Sequence, residues 1–482
     1  MGTTRTVLIV SVFLLTGCAQ VPRDGDFPSV KGLVGERIPQ NIHWYQGSEE
    51  DEQVKAALDV LLKQPLTATS AVQIALLNNR RLQVEYEDLG IAQADLVQAG
   101  LLSNPVLFAS IRFPNSGKGT NNTQFEIAKD FLDILLRPAR QRIAAEEFDR
   151  VKLRVANAVL DLAAEAQTAF YRTQGRQQLV KIFEVTAGTS RISYELAQRF
   201  DEAGNLSELE LAQERGAAAE MSAELLRVQA ELQTERDNLN RLMGLTGSTA
   251  GHLMLGLELP ELPAIDPELE LVQKAAYENR LDLIAAQHEI NQLEQAHDLT
   301  RDYRWIGGAS FGVNTERDTD GSSVTGPNFS VEIPIFDQRQ AEIARLESFL
   351  EQSKSRYAAL RVAIESEVEA AVNRVKAARS ITLYYRDELV PAREQVVEFT
   401  QQEQNYMLVD VFELLFARLQ QTLAYRGYIE SLTSYWTARA ELARAIGIGL
   451  PLALEPVATP SSGQQMPEQP DTGPEQHNQM HH

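Results

Sequence analysis

The residues able to do chemistry in this chain are few and poorly placed for catalysis. His43, His252, His288 and His297 are scattered, with no metal-ligand spacing between them, and no glycine-rich phosphate loop leads into a helix. Cys18 is the single cysteine, so a disulfide within the chain is excluded. Neither an enzyme, nor a cofactor, nor a resident metal site is expected. What the chain has in quantity is carboxylate. Its formal net charge is -22, which excludes nucleic acid as a partner because phosphate binding needs a basic face. Asp410 and Glu413 stand out because a spacing of three puts both on one face of a helix. Glu210 lies 200 positions before Asp410, and Gln213 the same distance before Glu413. Several copies of such a pair would form carboxylate rings, attractive to cations and costly to hold close together. The chain ends Gln476-His477-Asn478-Gln479-Met480-His481-His482. Its His and Met suit copper, nickel or zinc, but the stretch 451–482 is rich in Pro, Gln and Gly and is expected to be a disordered tail.

The amino terminus says where these groups work. Arg5 precedes a short apolar run from Val7 to Leu15, so residues 1–17 read as a signal peptide. Leu15-Thr16-Gly17-Cys18 resembles the bacterial lipobox. That resemblance implies cleavage before Cys18 and acylation of its thiol and new amine, which anchors a protein without a spanning helix. Ala19 follows Cys18, not the aspartate linked to inner-membrane retention, and this favours the outer membrane. Residues 18–65 are expected to form a lipidated, extended arm. No later stretch reaches the roughly 18 apolar residues of a spanning helix, so any membrane crossing must be made by β-strands.

The rest of the chain is duplicated. Val72, Gln73, Ala75, Asn79 and Arg80 recur 200 positions later as Val272, Gln273, Ala275, Asn279 and Arg280. Leu239, Arg241 and Gly244 recur as Leu442, Arg444 and Gly447, 203 positions on. The halves are expected at 66–250 and 268–450, with a Pro-rich linker at 251–267. Each half has long helical stretches rich in Ala, Leu, Glu, Gln and Arg. In the second, Ile343, Leu350, Tyr357, Ile364, Ala371, Ala378 and Tyr385 fall at seven-residue intervals, a coiled-coil seam. A continuous helix of about 60 residues would reach about 90 Å, which suits a bundle or cylinder rather than a globule. Pro391 should kink the second rod. Between the helices of each half lies a hairpin, with strands expected at 106–113 and 123–131, then at 306–315 and 328–335. Phe329, Val331, Ile333 and Ile335 alternate with Ser330, Glu332 and Pro334, one apolar face and one polar. Phe108, Phe113, Tyr303 and Trp305 lie near strand ends, where interfacial aromatic girdles sit. Four strands cannot close a barrel of useful width, and an open edge in lipid leaves backbone groups unsatisfied, so several chains must join.

The order of elements from about 66 to 450 resembles the TolC family of outer-membrane efflux proteins. Leu102-Ser-Asn-Pro-Val-Leu107 is similar to its approach to the first strand, Ser330-Val-Glu-Ile-Pro-Ile-Phe-Asp337 to its strand-to-helix junction, and Leu389-Val-Pro-Ala392 to its mid-helix proline. Phe336-Asp-Gln-Arg-Gln340 resembles the branch serving heavy-metal pumps of the resistance-nodulation-division class. The resemblance implies a mainly α protein with membrane β: a homotrimeric channel-tunnel whose 12-stranded barrel, four strands per chain, continues into a long α-helical barrel. It implies passive export, with a periplasmic adaptor at the helical tips and an inner-membrane transporter supplying energy. It places the tips near 200–213 and 400–413. There it implies an aperture lined by Asp410, Glu413 and Glu210, and adaptor contact at Gly204, Asn205 and Asn405. Gln404 occupies the position expected to match Gly204, and Tyr406 replaces the arginine that latches the aperture in some relatives. The alternatives are a type I secretion duct for polypeptides and a structural periplasmic coiled-coil lipoprotein, which would have no use for two amphipathic hairpins.

Overall fold

The computed structural model describes residues 21–115, 119–247, 254–256 and 258–449. The signal peptide, Cys18, His252 and the His- and Met-bearing tail lie outside them.

Ahead of the first repeat the described residues do not form the extended arm expected. It carries α1 (Phe27–Gly35) and α2 (Glu49–Leu61). Pro28 pre-sets the first turn of α1. Ser48 and Asp51 form a capping box at α2, ahead of an acidic first turn that suits the helix dipole. Asp51 is buried; its Oδ2 accepts from the Gly47 and Ser48 N–H groups, and its Oδ1 lies 2.7 Å from His43 Nε2. Trp44, Phe27 and Tyr86 pack ring against ring, fixing this segment to the first repeat.

The first repeat runs α3 (Ala68–Asn78), α4 (Arg80–Gly100), β1 (Val106–Arg112), β2 (Asn122–Asp130), α5 (Leu132–Glu202) and α6 (Glu208–Leu242). The second runs α7 (Leu269–Asn279), α8 (Leu281–Asp302), β3 (Ala309–Arg317), β4 (Ser323–Val331), α9 (Gln340–Tyr384), a π-helical turn (Tyr385–Leu389), α10 (Val390–Asn405) and α11 (Val411–Ile446). At 71 residues α5 would be about 107 Å long. The heptad seam is buried where α9 meets its neighbours, at Ile364, Val368, Ala371, Val375 and Ala378. Where a kink was expected at Pro391, the chain has a π turn just before it, closed by Val390 N–H on the Tyr385 carbonyl, and the helix runs on through the proline.

The two halves run through the same kinds of elements, in a register that differs from the identity matches. Each short helix pair breaks at one extended residue, Asn79 (ψ 120°) and Arg280 (ψ 115°), 201 positions apart. Asn79 Nδ2 donates to the Leu242 carbonyl at 2.8 Å, and Arg280 Nη1 to the Ala445 carbonyl at 3.2 Å. A different side chain thus makes the same tie between the two ends of each repeat. The linker is pinned as well: Leu66 N–H donates to the Met254 carbonyl, Trp436 Nε1–H to the Pro260 carbonyl, and Asp266 accepts from Tyr435 and Arg439.

The four strands form one antiparallel sheet in the order β1-β2-β3-β4. The second hairpin is offset from expectation. Its loop closes tightly, with Asp318 N–H on the Ser322 carbonyl and Gly321 at φ 90°, so β4 begins at Ser323, where Val324 and Thr325 favour extended backbone. It stops at Val331, opposite Ala309, the first residue of β3. In the observed register Leu107, Ile127 and Val313 lie side by side, as do Phe311 and Phe329. The opposite face has Gln124 beside Glu316 and Glu126 beside Asn314. Asn122 donates to Glu316 at 2.7 Å, and Asn328 donates to Glu126. Leu107 is 72% exposed and Phe329 69%, so the apolar face has no cover among the described residues. Among the described residues no helix is long and apolar enough to cross a membrane.

Gly427 marks a close approach between α11 and the π turn: a Cβ there would overlap the Tyr385 ring. Gly427→Ala is expected to destabilise the protein by roughly 1–3 kcal/mol, and adding Tyr385→Ala should recover part of that loss. Thermal or denaturant unfolding of the single and double variants measures it; additive losses would separate the two residues.

Candidate functional site

The two helical turns farthest along the rods from the sheet hold the candidate residues. Gly204 follows α5 with φ 73°, its N–H on the Asp201 carbonyl, and the Asn205 N–H reaches back to Phe200 O at 2.8 Å. This is a Schellman ending. After α10 the same bonds are made by Met407 N–H to Gln404 O and by Leu408 N–H to Glu403 O, at 2.9 and 3.0 Å. Met407 has φ 58°. The counterpart of Gly204 is therefore Met407, 203 positions on, and not Gln404. Asn205 matches Leu408, and Asn405 is instead the last residue of α10. An identity-based register cannot find this, because a methionine in a left-handed conformation carries no sequence signal.

The acids shift in the same way. Ser207 caps α6 and Asp410 caps α11, and Glu210 and Glu413 are the third residues of those helices. The expected pairing of Glu210 with Asp410 is thus replaced by Glu210 with Glu413. Glu210 is turned back on its own helix: Oε2 accepts from Ser207 N–H at 2.9 Å and from Ser207 Oγ–H at 2.6 Å. Those two bonds, the hydroxyl one foremost, hold its carboxyl below the usual glutamate range. Asp410 Oδ1 accepts the Glu413 N–H at 2.8 Å. All three are exposed, and Glu413 alone of them has a carboxylate that accepts no hydrogen bond among the described residues.

Phe200 and Phe412 meet edge to face at 6.4 Å and bring the two turns together. Neither was singled out in the sequence, where each is one apolar residue among many. Ser193 on α5 binds Glu214 on α6. Ala203-Gly204-Asn205 is small and polar, whereas Tyr406, Met407 and Leu408 are large, apolar and exposed. Among the described residues no group of three or more His, Cys, Asp or Glu could hold a metal. His288 lies 2.7 Å from Glu146 and His297 3.3 Å from Asp298, far along the chain from these turns.

The geometry has close parallels among solved structures. The Campylobacter jejuni CmeC outer-membrane channel superposes with a TM-score of 0.69 at 14% identity, over 79% of this chain and 85% of that one. CusC does so with a TM-score of 0.63 at 17% identity, over 90% of this chain and 100% of its own. This is the TolC-type channel fold. No family model matches the chain. In sequence it is similar to the cobalt-zinc-cadmium resistance protein CzcC of Cupriavidus metallidurans, 23% identical over 372 residues, 76% of this chain and 87% of CzcC. In this fold the two turns stand at the ends of the long helices remote from the strands.

Two outcomes follow at these turns. Asp410→Ala removes a helix cap and should cost about 1 kcal/mol, read as faster amide exchange in the first turn of α11. The Glu210 cap has a depressed folded pKa, so its contribution is complete above the ordinary value of 4.5 and is lost as pH falls through the lower folded one. Exchange at the Ser207 amide should therefore accelerate only in acid, and Glu210→Gln should flatten that dependence.

Proposed function

We propose that this chain is the outer-membrane exit duct of a tripartite efflux system, through which substrates delivered by an inner-membrane transporter and a periplasmic adaptor leave passively. One observation carries the reading: a four-stranded sheet, apolar on one face and polar on the other, ends in two open edges and stands on helices about 100 Å long. In lipid those edges must be closed by other copies. Three chains would place twelve strands in the barrel and six helical turns at the far end, with the Gln124, Glu126, Asn314 and Glu316 face lining the lumen.

Acylation at Cys18 would hold the trimer to the membrane without adding a span. At the tips, Glu413 is the carboxylate free to form the aperture ring. Asp410 and Glu210 serve it by fixing the helix starts. Gly204 and Asn205 supply an open, small-residue surface for an adaptor. Divalent cobalt, zinc or cadmium as cargo, with a transporter of the resistance-nodulation-division class, is favoured by the similarity to CzcC. An acidic tunnel, net charge -22 per chain, suits cations.

Purified protein in a planar bilayer, with its mass measured in parallel, tests the duct. Discrete, cation-preferring conductance from a trimer is expected. A monomer, or a trimer that never conducts under opening conditions, would return the chain to the spacer reading. Glu413→Gln should raise conductance and weaken block by multivalent cations more than Glu210→Gln does. Equal conductance and block in the two variants would remove Glu413 from the aperture.

A further inference from the structure

Where the sheet meets the helices, the chain crosses four times, and each crossing carries large exposed apolar side chains. The crossings lie at one level. Phe131 N–H donates to the Ala309 carbonyl at 2.7 Å, Glu332 N–H to the Gly308 carbonyl at 2.8 Å, and Ser103 N–H to Asp133 Oδ2 at 2.6 Å. Apolar residues also follow the β4 ladder. Past the last paired residue Ile333 is 75% exposed, the chain turns with Ile335 N–H on the Ile333 carbonyl at 3.0 Å, and Ile335 and Phe336 are 67% and 92% exposed. Phe131 follows β2 and Trp305 precedes β3, both more than half exposed.

Both signs of charge stand at this level, with Asp130, Glu332 and Asp337 beside the arginines. Arg140 is engaged by the buried Asp133, but Arg137, Arg304 and Arg339 have no carboxylate partner within 4.0 Å among the described residues. Arg304 lies over the Trp305 ring, 4.6 Å from its centroid. A guanidinium stacked on an exposed indole has one apolar part and one anion-seeking part at the same depth. In a chain of net charge -22, a level with three unpaired arginines around an apolar band calls for an anionic partner that also has an apolar side.

We propose that this collar binds anionic phospholipid in the periplasmic leaflet of the outer membrane. The band around Phe131, Trp305 and Ile335 would lie against the acyl chains, while Arg137, Arg304 and Arg339 hold headgroup phosphates. The proposal rests on the outer-membrane reading above and adds to it a lipid preference and the residues that impose it. Basic residues held near an anionic surface favour it additively, so the preference over a zwitterionic lipid should be roughly tenfold or more.

The test uses the purified full-length protein in neutral micelles doped with phosphatidylglycerol or phosphatidylcholine. Native mass spectrometry counts retained lipid, and conductance is recorded on the same preparations. Selective retention of phosphatidylglycerol is expected, abolished by high salt and by the triple variant Arg137→Gln, Arg304→Gln, Arg339→Gln, with single-channel conductance unchanged. The salt arm needs no variant, so a folding defect in the triple variant leaves the test intact. Equal retention of the two lipids by a conducting protein, or a preference indifferent to salt, would overturn the collar and leave the channel standing. A preparation that neither conducts nor retains lipid would overturn both.

Discussion

The backbone of an open β-sheet cannot be left unpaired in hydrocarbon, and the rest of this structure depends on that constraint. β1 and β4 each present one edge that no other strand covers among the described residues. No rearrangement of a single copy removes both edges, because four strands are too few to close on themselves. The apolar face makes the same demand in another way. Leu107, Ile127, Val313 and Phe329 would be a severe aggregation hazard in water, and they become an asset only when lipid lies on one side and neighbouring copies on the other two. The polar face, with its Asn–Glu pairs, is consistent only with a wet interior.

Everything below the sheet holds four strands in place at one end and two turns at the other. Long helices do this at little cost in sequence specificity, since a repeating seam such as Ile364, Ala371 and Ala378 buries the same small patch again and again. Ties between distant parts of the chain are made by single side chains on backbone carbonyls. Asn79 on Leu242 and Arg280 on Ala445 fix where the short and long helices of each repeat meet. Such bonds are insensitive to the identity of the accepting residue, so the two halves could diverge in sequence and keep one architecture.

That divergence sets how much could be read in advance. Fold class, the two hairpins and the heptad rod were all legible, because each rests on periodicity, which physics enforces residue by residue. The register of the tips was not. Identities at a spacing of 200 pointed to Gln404 and Asp410, whereas matching is governed by backbone conformation: a left-handed residue, then a cap. Gly204 announces that conformation and Met407 hides it. The two helices of the amino-terminal arm were legible and passed over; Ser48-Glu-Glu-Asp51 is a complete start signal. The collar was visible only in part, since Ile333 and Ile335 show in the alternation but unpaired arginines show only once every carboxylate has been placed.

The π turn at Tyr385–Leu389 gives the second rod a place where a change of length can be absorbed. In an α-helix an added residue rotates everything after it by about 100°, which would turn a buried seam toward solvent. One wide turn takes up such a residue locally and leaves the flanking helices in phase. A chain of this fold with a rod one residue longer should tolerate the insertion at this level better than anywhere in the heptad seam, where Ile364, Ala371 and Ala378 are buried.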